Sequence, residues 1–236
     1  MTSLSLVVLT RNEATFVKKN VQIIYSYLKD NFADFELIIS DYSEDDTPQI
    51  VLNMAQELPG LTYVRAPRRG IGAGLKAGIA KATKDVIMFY PIDLSWNLQT
   101  IERSVNELQH NGDVIIGSRR CAGASANRPL TREIFSQVYS MLANILFDLG
   151  VKDTQGTFTM WRHDLETFYQ RLESDDPFLQ TEILIHSKLK RLRIMEIPCS
   201  VVEHRGHSNV SPLREGTAML KKMLRFWYTF NFKKRP

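Results

Sequence analysis

The 236-residue sequence predicts an α/β fold, a mostly parallel sheet covered by helices on both faces. Three observations predict it. Apolar, β-branched runs alternate with segments of helical periodicity, and the connections between them are short. Four polar clusters, TRNE, SDYSEDD, PID and GSRR, each fall at the C-terminal end of one of those runs. Open parallel sheets bind ligands at that edge, so one crevice is expected to gather acids from three strands and arginines from a fourth.

The elements follow in order. LSLVVLT (4–10) reads as a buried strand, and Phe16, Val17, Val21, Ile24 and Tyr25 recur at helical spacing after it. FELIISD (35–41) is a second strand. TPQIVLNMAQEL (47–58) is a helix, with Thr47 as its N-cap and Pro48 at its first position. The strand 62–67, the glycine-punctuated helix 70–83 and the strand DVIMFYPID (85–93) come next. Helix 97–111 leads to the strand DVIIGSR (113–119). Beyond residue 120 the spacing predicts a helix over 129–149, a strand over 156–162, helices over 163–172 and 178–190, and a strand over 193–204.

Composition sets outer bounds. The 44% hydrophobic and 24% charged content is that of a globular protein, and a net charge of +4 suits an anionic ligand or an acidic membrane surface. Two cysteines without metal-type spacing point to a reducing compartment. The N-terminus lacks a signal peptide's basic start and cleavage site, and no apolar run approaches the roughly 18 residues that span a bilayer. A cytoplasmic chain, free or peripheral on the cytoplasmic membrane face, is the expectation. No Ser-His-Asp order, Cys-His pair or zinc spacing stands out.

Each polar cluster has a chemistry. Ser43, Asp45 and Asp46 are residue types that satisfy the free amides of a helix start. Asp41 precedes that turn and is expected to point into the crevice, where a carboxylate accepts hydrogen bonds from a base's ring N–H. In RRGIGAGLKAG (68–78) the glycines serve either close packing of a helix on the sheet or a phosphate, and Lys76 reads as a solvated residue. Arg128, Arg132 and Ser136 recur every four residues; with Arg119 they make either a cationic phosphate pocket or a solvated face of ordinary ion pairs. His204 and His207 read as loop residues, because no second ligand pair stands near them.

The C-terminal stripe Met219, Leu220, Met223, Leu224 and Trp227, with Lys221, Lys222 and Arg225 off it, suits core packing and a membrane interface equally. The expected division is a main domain over 1–212 and an amphipathic, basic and aromatic helix over 213–236.

Taken together the motifs resemble the inverting family 2 glycosyltransferases of the GT-A fold, in the dolichyl-phosphate mannose synthase-like branch. VVLTRNE matches VVxPxYNE, ISDYSEDDT matches DDxSxDGT, and RGIGAGLKAG matches RGxGxAxxxG. PIDL matches DADL, DVIIGSRR matches DxVxGSRY, and KDTQGTFTMWR matches DxxSGFRxxRR. FLQTEIL matches FxxEIL, and HRGHSNV matches the closing RxxGxSK. The order of eight motifs carries the resemblance.

That resemblance implies transfer of a sugar from a GDP- or UDP-sugar to a polyisoprenyl phosphate, with no nucleic acid among the partners. Thr10, Asn12, Glu13, Asp41, Ile92, Asp93 and Arg205 would bind the donor. Asp93 would hold Mg²⁺ or Mn²⁺ on the diphosphate, and Arg119, Arg132 and Ser136 would bind the acceptor phosphate. Asp93, Arg119 and Arg132 would be the catalytic set, and the 204–208 loop would close over the donor.

The sequence also departs from the pattern. Arg11 replaces the usual tyrosine, Ser40 an acid, Pro91 the first acid of the metal motif, Ser95 a glutamine, Glu203 an arginine and Asn209 a lysine. Three readings follow: Asp93 suffices for the metal together with diphosphate and water oxygens, aided by His204 or His207; cationic Arg11, Lys76 or Arg205 stands in for it; or catalysis is lost and a nucleotide-sugar-binding or regulatory module remains. A nucleotidyltransferase uses a related sheet, but its glycine-rich basic loop after the first strand is missing from TRNEATF.

Overall fold

The computed structural model describes residues 2–127, 130–202 and 212–233. Strands β1 (Leu4–Thr10), β2 (Phe35–Asp41), β3 (Leu61–Arg65), β4 (Val86–Pro91) and β5 (Val114–Ser118) form where the β-branched runs stand. A short strand β6 (Ser125–Asn127), then β7 (Thr157–Trp161), β8 (Ile194–Pro198) and β9 (Ser200–Val202), complete the set. The main sheet has seven strands in the order β3-β2-β1-β4-β7-β5-β8. β7 alone is antiparallel to both of its neighbours.

Period-two alternation sends Leu4, Leu6 and Val8 to one face of β1 and Val7 to the other, so the sheet has two cores. Helices α1 (Val17–Asn31), α2 (Thr47–Glu57) and α4 (Gln99–His110) cover the first face. Helices α3 (Ile71–Ile79), α5 (Leu130–Phe147), α6 (Arg162–Glu166), α7 (Phe178–Leu189) and α8 (Pro212–Tyr228) lie on the second. Val17, Val21 and Ile24 are fully buried on α1, as their spacing predicts.

Three local expectations change. The cap of α2 is Asp46, and Thr47 is the first helical residue. The expected helix 163–172 breaks into α6 and a 3-10 turn over Tyr169–Arg171, because the Thr167 hydroxyl claims the Asp164 carbonyl (2.7 Å). The expected strand 193–204 splits after Pro198, and β9 turns aside to pair with β6. Proline has no N–H for the ladder, which makes that residue a natural exit.

Two close approaches depend on glycine. A Cβ on Gly78 would stand 2.3 Å from Val7 Cγ1, and one on Gly156 would stand 1.9 Å from the Gly117 carbonyl oxygen. The first seats α3 on β1. The second lets β5 and β7 meet below the GSRR turn.

Candidate active site

The strand order reverses between β1 and β4, and a doubly wound sheet opens its ligand crevice at such a reversal. Leu9 of β1 pairs with Pro91 of β4. Arg11 follows the end of β1 and Asp93 lies in the turn after β4, so one cation and one acid stand just beyond the C-terminal ends of neighbouring strands. Arg11 lines a cavity of about 570 Å³ together with Thr10, Glu13, Tyr42, Arg69 and Gly70 among others; Asp93 is not part of its wall.

Asp41 is the organising group of that crevice rather than a wall of it. It has no exposed surface. Its Oδ1 accepts hydrogen bonds from the Thr10 hydroxyl (2.8 Å) and the Ser43 hydroxyl. Its Oδ2 accepts from the Ser43 N–H (3.1 Å), the Tyr63 hydroxyl (3.2 Å) and the Arg65 guanidinium (3.2 Å). Burial first, then the Asp41 charge, raise the Tyr63 phenol above its ordinary value, outweighing Arg65. A carboxylate offers about four lone-pair sites, so this one is filled and does not meet a base edge. The expectation that Asp41 binds the base directly is corrected to a positioning role: Arg65, held by Asp41, lies over the Tyr42 ring at 4.9 Å, and Tyr42 lines the cavity.

Asn12 and Glu13 are tied into the same frame. Asn12 adopts a left-handed conformation (φ 56), which asparagine tolerates. Its N–H donates to Ser43 Oγ (2.7 Å), and its Oδ1 accepts from the Glu44 N–H (2.9 Å). Glu13 is buried, and its N–H donates to the Thr47 hydroxyl (2.8 Å). Thr47 therefore joins two strand-end loops instead of capping its own helix. Asp45 does serve amides, accepting from the Thr47 and Ala14 N–H groups.

The PIDL turn orients a single acid. Ile92 packs into the core at 4% exposure, and its carbonyl accepts from Asn20 Nδ2 (2.9 Å). The Ile92 side chain belongs to the core, so a donor contact at this residue falls to its backbone. Leu94 takes a left-handed conformation (φ 54), and the Ser95 N–H donates to Asp93 Oδ1 (3.1 Å). Hard divalent cations want six or more oxygen ligands. Pro91 offers none, Asp93 offers one carboxylate with an oxygen already engaged, and no group of three or more His, Cys, Asp or Glu able to hold a metal occurs among the described residues. Among the described residues, Asp93 alone is too small a ligand set for Mg²⁺ or Mn²⁺ unless the donor's own oxygens and water complete it.

The glycine-rich start of α3 packs against protein. A Cβ on Gly70 or Gly72 would strike the backbone of the 174–176 loop, and the Ala73 N–H donates to the Asp175 carbonyl (3.0 Å). Lys76, read from sequence as solvated, pairs with Asp175 at 2.7 Å, and Arg68 joins it at 3.1 Å.

On the far side, β7 separates β5 from β4, so the GSRR turn stands two strand spacings from Asp93. The Arg119 guanidinium closes its forked face on Asp153, Nε to Oδ2 and Nη2 to Oδ1 both at 2.7 Å. Arg120 lies 3.6 Å from the same carboxylate and donates to Glu133 at 2.8 Å. Burial alone would push the Asp153 carboxyl up; Arg119 and then Arg120 outweigh it and hold it below its ordinary value. The expected phosphate clamp at Arg119 is corrected accordingly: its bidentate edge is spent on Asp153. Ser136 is half-buried on α5 and stands apart from the cavity that Arg119 and Arg120 share with Ser140.

The side chain of Arg132, and the whole of Arg128, His204, Arg205 and His207, lie outside the described residues. The C-terminal stripe packs inward at Met219, Leu220 and Met223, while Leu224 stays exposed. Met223 is fully buried, Met219, Leu220 and Phe226 pack on the second core, and Lys222 pairs with Asp176 at 2.7 Å. Met219 also lines the cavity, so α8 forms part of its wall.

Sequence reading missed Tyr42, Tyr63, Arg65, Arg69 and Asp153. Arg65 and Arg69 had a readable signal, a basic cluster at a strand end. Asp153 had none, since its role depends on a contact between distant loops.

A crevice at the strand-order reversal, walled by acids and arginines over a parallel sheet, defines the class of nucleotide-sugar transferases with the GT-A fold. Residues 5–168 match the family model described as Glycosyl transferase family 2, and the chain belongs to that family. Glycosyltransferase AglD of Haloferax volcanii is 26% identical, over 98% of this chain and 38% of its own length. The dolichyl-phosphate hexose transferase of the same organism is 23% identical over 80% of each chain. Dolichyl-phosphate beta-glucosyltransferase ALG5A of Trichomonas vaginalis is 25% identical over 83% of this chain and 64% of its own. The chain thus spans well under half of the first of these relatives.

Among solved structures, glucosyl-3-phosphoglycerate synthase from Mycobacterium tuberculosis, crystallised with Mn²⁺, UDP and glucosyl-3-phosphoglycerate, superposes with a TM-score of 0.70 at 20% identity, covering 97% of this chain and 79% of that one. Mannosyl-3-phosphoglycerate synthase from Rubrobacter xylanophilus gives 0.69 at 14% identity, covering 99% and 75%. At these identities the likeness establishes the fold.

Proposed function

We propose that this chain transfers a sugar, with inversion, from a nucleoside-diphosphate sugar to a polyisoprenyl phosphate of the dolichyl type. The observation that supports the reading is the cavity of about 570 Å³ at the C-terminal ends of β1 and β2, lined by Thr10, Arg11, Glu13 and Arg69. The dolichyl-phosphate relatives supply the acceptor class.

The chemistry suits that division. An acceptor phosphate is already anionic at neutral pH, so no strong base is needed. Its oxygen forms a bond to the anomeric carbon as the bond to the diphosphate oxygen breaks, and the electron pair leaves with the nucleoside diphosphate. The protein's work is to align two anions and stabilise the departing one. Thr10, Asn12 and Glu13 belong to the donor wall, with Asp41 positioning it. Asp93 accepts hydrogen bonds from sugar hydroxyls at the reacting end. Arg132 and Ser136 receive the acceptor phosphate, with Arg119 holding the turn behind them.

An acceptor with a polyisoprenyl tail resides in a bilayer, so the chain works at a membrane surface, on the cytoplasmic face where nucleotide sugars are held. No helix of the described residues is long and apolar enough to cross a membrane. One helix is suited to lie on it. From Ile134 to Phe147, α5 carries no charged side chain, and Ile134, Phe135, Val138, Met141 and Ile145 are 41–69% exposed.

The test is transfer of radiolabelled sugar from GDP- and UDP-sugars to a lipid phosphate. Wild-type protein should transfer label and Asp93→Ala should not; undiminished turnover by the variant would remove Asp93 from the mechanism. A second reading, a nucleotide-sugar-binding or regulatory module without turnover, rests on Pro91 and predicts binding without transfer in the same assay.

A further inference from the structure

We propose that this chain binds its nucleotide-sugar donor without a divalent cation, Arg11 supplying the charge that a metal supplies elsewhere in the family. The inference rests on the donor reading above and concerns the same cavity.

Its first support is charge balance at the strand-order reversal. The family pattern places two acids at the end of β4 and a neutral tyrosine after β1, a net charge of −2 that a divalent cation cancels. Here Pro91 removes one acid and Arg11 replaces the tyrosine. Asp93 and Arg11, each just beyond the C-terminal end of one of two paired strands, sum to zero without any ion. A cation at Asp93 would find one carboxylate among the described residues, already accepting from Ser95, and would take its other ligands from donor and water.

The second support is which cations stay uncommitted. Arg65 is held by Asp41, and Arg68 and Lys76 by Asp175. Arg11 and Arg69 both line the cavity, and neither has a hydrogen-bond or ion-pair partner among the described residues. Of the acids on the same walls, Asp176 is paired with Lys222, and Glu13 is buried. Two arginines lining one cavity, without partners among the described residues, fit a diphosphate, whose oxygens take bidentate guanidinium contacts. Of the three cations that sequence offered in place of metal, the structure retains Arg11 and spends Lys76, while Arg205 lies outside the described residues.

The experiment is calorimetric titration of UDP-glucose and GDP-mannose into wild-type protein, Arg11→Tyr and the double variant Arg11→Tyr/Pro91→Asp. Each is run in EDTA and in Mn²⁺. Wild-type affinity should agree within about twofold between the two conditions. Arg11→Tyr should bind at least about tenfold more weakly in EDTA, the loss of a charge-assisted contact. The double variant should regain affinity in Mn²⁺ alone. Arg11 is exposed, so Arg11→Tyr is expected to keep the wild-type melting temperature, which is measured alongside.

Wild-type binding that collapses in EDTA overturns the inference and leaves the donor reading standing. Arg11→Tyr binding as tightly as wild type in EDTA overturns the role of Arg11. Absence of binding to either sugar nucleotide under both conditions, in folded wild-type protein, overturns the donor reading and this inference with it.

Discussion

Replacing Asp153 with alanine removes the counter-charge that two buried arginines share. The carboxylate has no exposed surface, and the Arg119 and Arg120 side chains are 9% and 10% exposed. Asp153→Ala therefore leaves the Arg119 guanidinium against β5 without its carboxylate, although Nη2 still donates to the Gln155 carbonyl (3.2 Å). Breaking a buried pair from one side costs about 3–5 kcal/mol. For a chain of this size each kcal/mol moves the melting temperature by about 2–4 °C, so a drop of roughly 6–20 °C is expected. Thermal unfolding followed by circular dichroism reads it. The double change Arg119→Met/Asp153→Leu should recover much of the loss, because a well-packed apolar pair replaces a buried ionic one at little net cost.

The same pair gives a pH signature. Asp153's folded-state pKa lies below its unfolded value, so its contribution is present above about pH 4 and is lost as pH falls through the folded value. Wild type should thus lose stability below pH 4 more steeply than Asp153→Ala. A melting point for Asp153→Ala within 2 °C of wild type, a limit set at about the shift from 1 kcal/mol, would refute the view that Arg119 is a structural cation.

Three further outcomes follow from the geometry. Gly156→Ala should sharply reduce yield of folded protein or its melting temperature, because the new methyl lies 1.9 Å from the Gly117 carbonyl oxygen and both atoms' carriers are backbone; circular dichroism melts check it. Burial pushes the Cys199 thiol up to about 11, so at pH 8 it should resist a disulfide-exchange reagent that labels half-exposed Cys121, and equal labelling rates in native protein would contradict the packing. Met141→Glu/Ile145→Glu should abolish co-sedimentation with anionic vesicles while leaving the melting temperature within about 2 °C, since both side chains are exposed; retained pelleting would move membrane contact away from α5.

The sequence by itself determined the fold class, the order of elements and the crevice at the strand ends. Those depend on local periodicity and on turn chemistry, which every residue reports directly. Val17, Val21 and Ile24 announce the buried face of α1 by spacing alone, and Pro91 and Arg11 announce an altered acid site by identity alone. Tertiary structure decided which charges remain available for chemistry. Asp41 and Arg119 are the right residue types at strand ends, yet each is consumed by partners far along the chain, Arg65 and Tyr63 for one and Asp153 for the other. It also turned Met219, Leu220 and Met223 of the C-terminal stripe inward, leaving Leu224 exposed, and gave α5 an uncharged outer face. A hydrogen-bonding group's capacity is finite, and only the packed chain shows where it has been used.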